Sequence, residues 1–109
     1  MDERAQRVGF NEALFRTVNE QVHALNDRFP VAADPMSAIC ECGRFNCDER
    51  IELPPHEYEA VRKDSTLFVI RPNHDAPDLE DVVERRDAYW VVRKHEGEPA
   101  HLARRTDPR

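Results

Sequence analysis

The sequence predicts an α+β fold: a long N-terminal amphipathic helix, a small three-stranded sheet with short helices, and a cysteine-rich loop at the sheet edge. Three observations carry that prediction. Apolar side chains recur at helical spacing from residue 8 to residue 29. Short apolar or alternating segments at 50–53, 66–71 and 88–94 have strand character. All three cysteines fall within the eight residues CECGRFNC, 40–47.

The helix is expected over residues 3–28. Val8, Phe15, Val18, Val22, Leu25 and Phe29 are spaced 7, 3, 4, 3 and 4 apart, which makes one stripe on a helical surface. Phe10 and Leu14 widen the stripe, while Arg16, Glu20, His23 and Asp27 fall on what reads as the solvated side. Asp2 is the predicted N-cap, and Pro30 ends the run. The stripe suits a helix that covers its own domain. Its spacing is also that of a coiled-coil seam over about three heptads, which would make the helix a dimerisation arm. Asn11, within the stripe, fits either.

PVAADPMSA reads as a connector into the cysteines, and RIEL as a short alternating strand after them. PPHEYEAVRKD is a helix of two or three turns, with Pro55 at its first position and Tyr58 and Val61 facing inward. TLFVIR is predicted to be the central strand. LEDVVERR reads as a short amphipathic helix through Leu79, Val82 and Val83, and AYWVVRK as the last strand. Three units follow: residues 1–29 as a packing or dimerisation helix, 30–98 as the α+β domain, and 99–109 as a polar C-terminal tail.

Composition narrows the function. The chain of 109 residues is 35% charged and 39% hydrophobic, with net charge −6. Its Arg62-Lys63, Arg85-Arg86 and Arg104-Arg105 pairs sit among carboxylates, so a nucleic-acid partner is disfavoured. No apolar run could span a bilayer or act as a leader, and the expected location is the cytoplasm. In that reducing compartment, three clustered cysteines point to metal ligation over disulfides.

The spacing C-x-C-x4-C supports that reading. In an extended segment, residues i and i+2 share a side, so Cys40 and Cys42 can address one ion. Gly43 tolerates the positive φ of a tight reversal, and Asn46 also accepts the left-handed region, so Cys47 can return to the same point. Three thiolates and an imidazole make a closed tetrahedral zinc site. Of the five histidines, His23, His95 and His101 read as surface residues. His74 is the preferred fourth ligand, because the LFVIRPN strand would deliver it rigidly and Pro72 stiffens the approach. His56, at the start of the short helix, is the alternative. The fold expectation then includes a zinc-binding loop at the sheet edge.

CECGRFNC resembles the post-SET motif of histone lysine methyltransferases, in which C-x-C-G-x3-C supplies three zinc ligands and the rest of the domain a fourth. The likeness covers eight residues and matches Cys40, Cys42, Gly43 and Cys47. It implies that this spacing can bring three thiolates to one zinc. It does not imply methyl transfer, since the chain is too short for that catalytic fold. The whole chain also resembles small bacterial proteins with such a cluster, an EYEAVR helix and a strand ending in proline and histidine, a likeness that implies no particular activity. The CDGSH-type proteins hold a [2Fe–2S] cluster with three cysteines and one histidine, within a Cys-Asp-Gly-x-His run. Here Asp48, Glu49 and Arg50 follow Cys47 and supply neither that glycine nor that histidine, which leaves the cluster as the lesser cofactor alternative.

Other chemistry finds little footing. Three glycines cannot build a phosphate loop, and Ser37 and Ser65 are the only serines. The expected function is a non-enzymatic zinc-binding protein with a structural Cys3His site, acting as a protein-interaction or regulatory module. Its partner would be another protein or a second copy through the N-terminal helix. The alternatives are a metal-dependent enzyme with an open zinc site and a zinc-thiolate redox switch.

Overall fold

The computed structural model describes residues 1–28 and 35–109, the side chains of 26–28 excepted. Phe29 and Pro30, the expected end of the helical stripe and its stop, lie outside the described residues. The element order is α1 (Glu3–Arg28), β1 (Met36–Ile39), β2 (Arg50–Leu53), α2 (Pro55–Arg62), β3 (Leu67–Ile70), β4 (Glu80–Arg85), β5 (Trp90–Lys94) and α3 (Glu98–Arg105). The fold is α+β, as predicted. No helix among the described residues is long and apolar enough to cross a membrane.

Asp2 caps α1, its carboxylate accepting from the Ala5 N–H at 2.7 Å. The orientation of α1 is the main departure from expectation. Its buried residues are Ala5, Glu12, Arg16, Asn19 and His23, whereas Phe10, Leu14 and Leu25 are exposed. Arg16 and His23, expected on the solvated side, therefore face the domain. The inversion is stable because the buried polar groups have partners within the fold. Arg16 donates to the carbonyls of Ser65 (2.6 Å) and Ala103 (2.7 Å) and lies over the Phe68 ring. Lys94 bridges Glu12 and Glu80 at 2.6 and 2.7 Å, and His23 Nε2 meets Glu59 at 3.1 Å.

The strands form two antiparallel sheets. β1 pairs with β2, Ile39 opposite Arg50, so residues 40–49 are the connection of a long hairpin. MSAI, read as part of a connector, is thus a strand, and RIEL belongs to this ribbon and not to the three-stranded sheet. In that second sheet the order is β3-β5-β4, which makes β5 central and TLFVIR an edge. Segments 66–71 and 88–94 are neighbours as expected, with Phe68 opposite Val92.

LEDVVERR, expected as a helix, supplies β4. The register shifts between Val82 and Glu84, and this bulge disrupts the two-residue alternation that marks a strand. With the alternation broken, Leu79, Val82 and Val83 mimic helical spacing. The central strand β5 needs a second partner, and that tertiary demand overrides the local pattern.

Residues 99–109, expected as a polar tail, include most of α3, which buries Ala100, Leu102 and Ala103. Alanines carry most of that inner face, so the apolar signal is weak. The helix packs closely on α1: a Cβ at Gly9 would lie 2.3 Å from Leu102 Cδ2. Helix α2 matches its prediction, with Pro55 in its first turn and Tyr58 and Val61 buried. Tyr89 is buried, while Trp90 is half-buried beneath the Arg85 guanidinium.

Candidate metal centre

Three local structures deliver the cysteines. Strand β1 runs directly into Cys40, whose N–H donates to the Glu49 carbonyl at 3.0 Å and extends the ladder one step. The extended backbone then sends Cys40 and Cys42 to one side and Glu41 to the other. At Gly43 the chain reverses with φ +78°, and the Cys47 N–H donates to the Arg44 carbonyl at 3.1 Å to bring the third thiol back. Gly43 is also a point of close approach, since a Cβ there would stand 2.6 Å from the Val8 carbonyl oxygen. Asn11 Nδ2 donates to the Gly43 carbonyl at 2.9 Å and fixes the loop to α1.

The histidine arrives from the three-stranded sheet. After β3, Arg71-Pro72-Asn73-His74 forms a turn closed by the His74 N–H on the Arg71 carbonyl at 3.1 Å. Proline at the second position and a positive φ at the third (Asn73, +70°) are the signature of a type II turn. Pro72 and Asn73 thus aim His74 back at the cysteine loop.

One donor atom from each of Cys40, Cys42, Cys47 and His74 lies within 4.8 Å of all the others. Cys40 and Cys42 are buried, and Cys47 and His74 half-buried. His74 Nδ1 is 3.6 Å from the sulfurs of both Cys40 and Cys47. The structure therefore brings together the three cysteines and the preferred histidine. The alternative, His56, is exposed and paired at 4.0 Å with its neighbour Glu57. His95 pairs with Asp81, away from the thiols.

Backbone donors reach the sulfurs, and the surroundings favour a thiolate at Cys42. The Arg71 N–H donates to Cys40 Sγ at 3.1 Å. Burial raises the Cys47 pKa, against a backbone hydrogen bond from Glu49, and a backbone hydrogen bond from Arg44 likewise favours the Cys42 thiolate. Cys42 is held well below the usual thiol range, at about 4, chiefly by its hydrogen bond with Cys40, whose own pKa that bond raises. Such donors oppose the surplus negative charge of three thiolates around a divalent ion.

Behind the loop lies a buried carboxylate that the sequence reading passed over. Glu41 is fully buried, and its oxygens accept from Asn19 Nδ2 (2.8 Å), the Tyr58 hydroxyl (3.0 Å) and the Val69 N–H (3.0 Å). Burial raises its pKa, against the opposing effect of those donors. The Glu41 N–H donates to the Val69 carbonyl at 2.8 Å, which attaches the loop to the edge of the three-stranded sheet. The alternation that aims two thiols one way also aims the residue between them into the core. That was the available signal for Glu41.

Comparison with protein-family models, curated proteins and solved structures gives no match for this chain. The functional reading therefore rests on the geometry.

Proposed function

We propose that Cys40, Cys42, Cys47 and His74 hold one zinc ion as a closed structural site, in a cytoplasmic, non-enzymatic module that acts through protein contacts. The observation that carries this reading is the spacing of the donors. With Zn–S of about 2.3 Å and Zn–N of about 2.0 Å, a tetrahedron has S···N edges of roughly 3.5 Å. The two sulfur-to-Nδ1 separations are 3.6 Å. Four protein donors leave no coordination position for a reacting water, which favours a structural ion over a Lewis acid. A two-iron cluster would place its ligand pairs on separate irons and spread them further apart than one ion requires. The compact donor set therefore favours zinc over [2Fe–2S].

Zinc would join the β1–β2 hairpin to the turn after β3, so metal affinity would be expressed as folding free energy. The test is elemental analysis of protein purified without added metal, together with cobalt substitution. One zinc per chain and a tetrahedral, thiolate-rich cobalt spectrum are expected. His74→Ala should lose metal and lower Tm, whereas His56→Ala should do neither. A metal-free protein, equally stable with all three cysteines changed to serine, would overturn the proposal.

A further inference from the structure

The three sulfurs of the candidate metal centre are not equivalent. Cys40 and Cys42 are buried, and Cys47 alone of the three is half-buried. Cys40 is also the most firmly held. Its N–H donates to the Glu49 carbonyl at 3.0 Å, its Sγ accepts from the Arg71 N–H at 3.1 Å, and Asn19 braces its neighbour Ile39. Cys42 and Cys47 instead flank the reversal at Gly43 and the turn that the Cys47 N–H closes on the Arg44 carbonyl. The donor atoms of all three lie within 4.8 Å of one another.

We propose that Cys42 and Cys47 are a reversible thiol switch on the zinc site: a peroxide joins them in a disulfide, and the site gives up its ion. The inference rests on the zinc reading and adds regulation of the same site. Peroxide meets the half-buried sulfur first. The Cys47 thiolate attacks one peroxide oxygen, the O–O bond breaks and hydroxide departs, leaving a sulfenic acid. The Cys42 thiolate then attacks that sulfur, the S–S bond forms and a second hydroxide departs. Two thiolates give up two electrons, the peroxide takes them, and solvent protons turn both hydroxides into water. Cys40 and His74 remain, which is half the donor set that a structural zinc requires.

Backbone geometry selects this pair over the other two. Residues i and i+2 of an extended segment stand about 6.6 Å apart with parallel side chains. A disulfide needs Cβ atoms roughly 3.5–4.5 Å apart. A Cys40–Cys42 bond would therefore force the backbone out of its extended form at Glu41. That would break the Glu41 N–H bond to the Val69 carbonyl (2.8 Å) and withdraw its carboxylate from the Val69 N–H (3.0 Å). A Cys40–Cys47 bond would pull Cys40 Sγ off the Arg71 N–H. Closing Cys42 on Cys47 needs movement only in the intervening turn, where Arg44, Phe45 and Asn46 are exposed. The hairpin stays attached to β3 through Glu41, so oxidation unties the His74 turn without unfolding the domain.

The test uses the zinc-loaded full chain in thiol-free buffer, with hydrogen peroxide as the oxidant. A chromogenic chelator should register one zinc released per chain as two thiols are lost. Cleavage after Arg44 separates Cys47 from the other two cysteines. Mass spectrometry should then find residues 45–50 linked to the preceding peptide through Cys42, with Cys40 still open to alkylation. Far-ultraviolet circular dichroism should not change, and a dithiol reductant with added zinc should restore the loaded form. Cys47→His keeps four donors and removes the reacting sulfur, so it should hold zinc and release it to peroxide about tenfold more slowly or less. Should that variant fail to hold zinc, the linkage in the wild-type chain decides alone. Zinc retained under a large excess of peroxide would overturn the inference and leave the zinc reading in place, as would a bond that includes Cys40 or joins two chains. A chain that carries no zinc before oxidant is added would overturn the zinc reading itself, and this inference with it.

Discussion

Asn19 Nδ2 stands 2.8 Å from Glu41 Oε2, and both side chains are fully buried. The same asparagine braces Ile39 through both backbone groups, donating to its carbonyl and accepting from its N–H, each at 2.8 Å. One side chain of α1 therefore holds the residues on either side of Cys40. The first ligand of the candidate metal centre is positioned by the helix before any ion arrives.

That arrangement makes Glu41 hard to replace. All three of its partners donate, and a glutamine would turn an NH2 toward at least one of them. Glu41→Gln should lose about 1–3 kcal/mol in urea denaturation at saturating zinc. Asn19→Leu should cost a similar amount by leaving the carboxylate and the Ile39 groups short of partners. Both variants should release zinc to a chelator faster than wild type. Unchanged release would separate the buried network from the metal site.

Gly43 is constrained by backbone conformation and by space. Its φ of +78° is costly for an L-residue, and a Cβ would also meet Glu12 Cγ at 2.8 Å and Val8 Cγ1 at 2.9 Å. Gly97 is the internal control, with φ +109° and nothing within 4 Å of an added Cβ. Gly43→Ala should therefore lower Tm more than Gly97→Ala, and it alone should weaken metal retention. Equal losses would mean that the approach of the loop to Val8 carries no energy.

Burial pushes the Glu12 carboxyl from 4.5 to about 8, against the pull of Lys94 and with a further push from Glu80. Two carboxylates share one ammonium there, so a proton on Glu12 balances the cluster. Between those two pH values the folded chain keeps a proton that the unfolded chain has released. Stability must then fall as pH rises across that interval, by at most about 1.4 kcal/mol per pH unit from this group. Glu12→Gln removes the titration. The variant should gain on wild type in denaturation midpoint as pH goes from 5 to 8, and a constant difference would contradict the assignment.

The candidate site was more legible in the sequence than the fold around it. Cysteine spacing, Gly43 and the Pro72–His74 approach are local signals, and each encodes backbone geometry within a few residues. The errors came where long-range partners decide. Val82 and Val83 read as a helix because a bulge disrupts strand alternation. Ala100 and Ala103 gave too little apolar signal to mark α3. In α1 the apolar residues form a true helical stripe, but Glu12, Arg16 and Asn19 claim the buried side because Lys94, the Ser65 and Ala103 carbonyls, and Glu41 wait there. Periodicity locates a stripe. Which side faces the domain depends on partners up to 87 residues away in the chain.

Arg16 provides the sharpest test of that inverted face. Among the described residues no carboxylate lies within hydrogen-bonding distance of its buried guanidinium; it bonds the Ser65 and Ala103 carbonyls and stacks 4.4 Å from the Phe68 centroid. Burial lowers its pKa, yet arginine starts so high that the group stays charged. Replacing a buried ion pair with hydrophobes can be neutral, because both desolvation costs disappear together. Here the partners are backbone carbonyls that cannot be removed, so Arg16→Leu should cost about 2–3 kcal/mol. Arg16→Lys should rescue little, since one ammonium replaces a planar fork that reaches two carbonyls and a ring. Ala103 lies in α3, so hydrogen exchange should accelerate first at 98–105 in both variants, ahead of β3 and β5. Uniform acceleration would mean that Arg16 supports the whole core and has no special hold on the C-terminal helix.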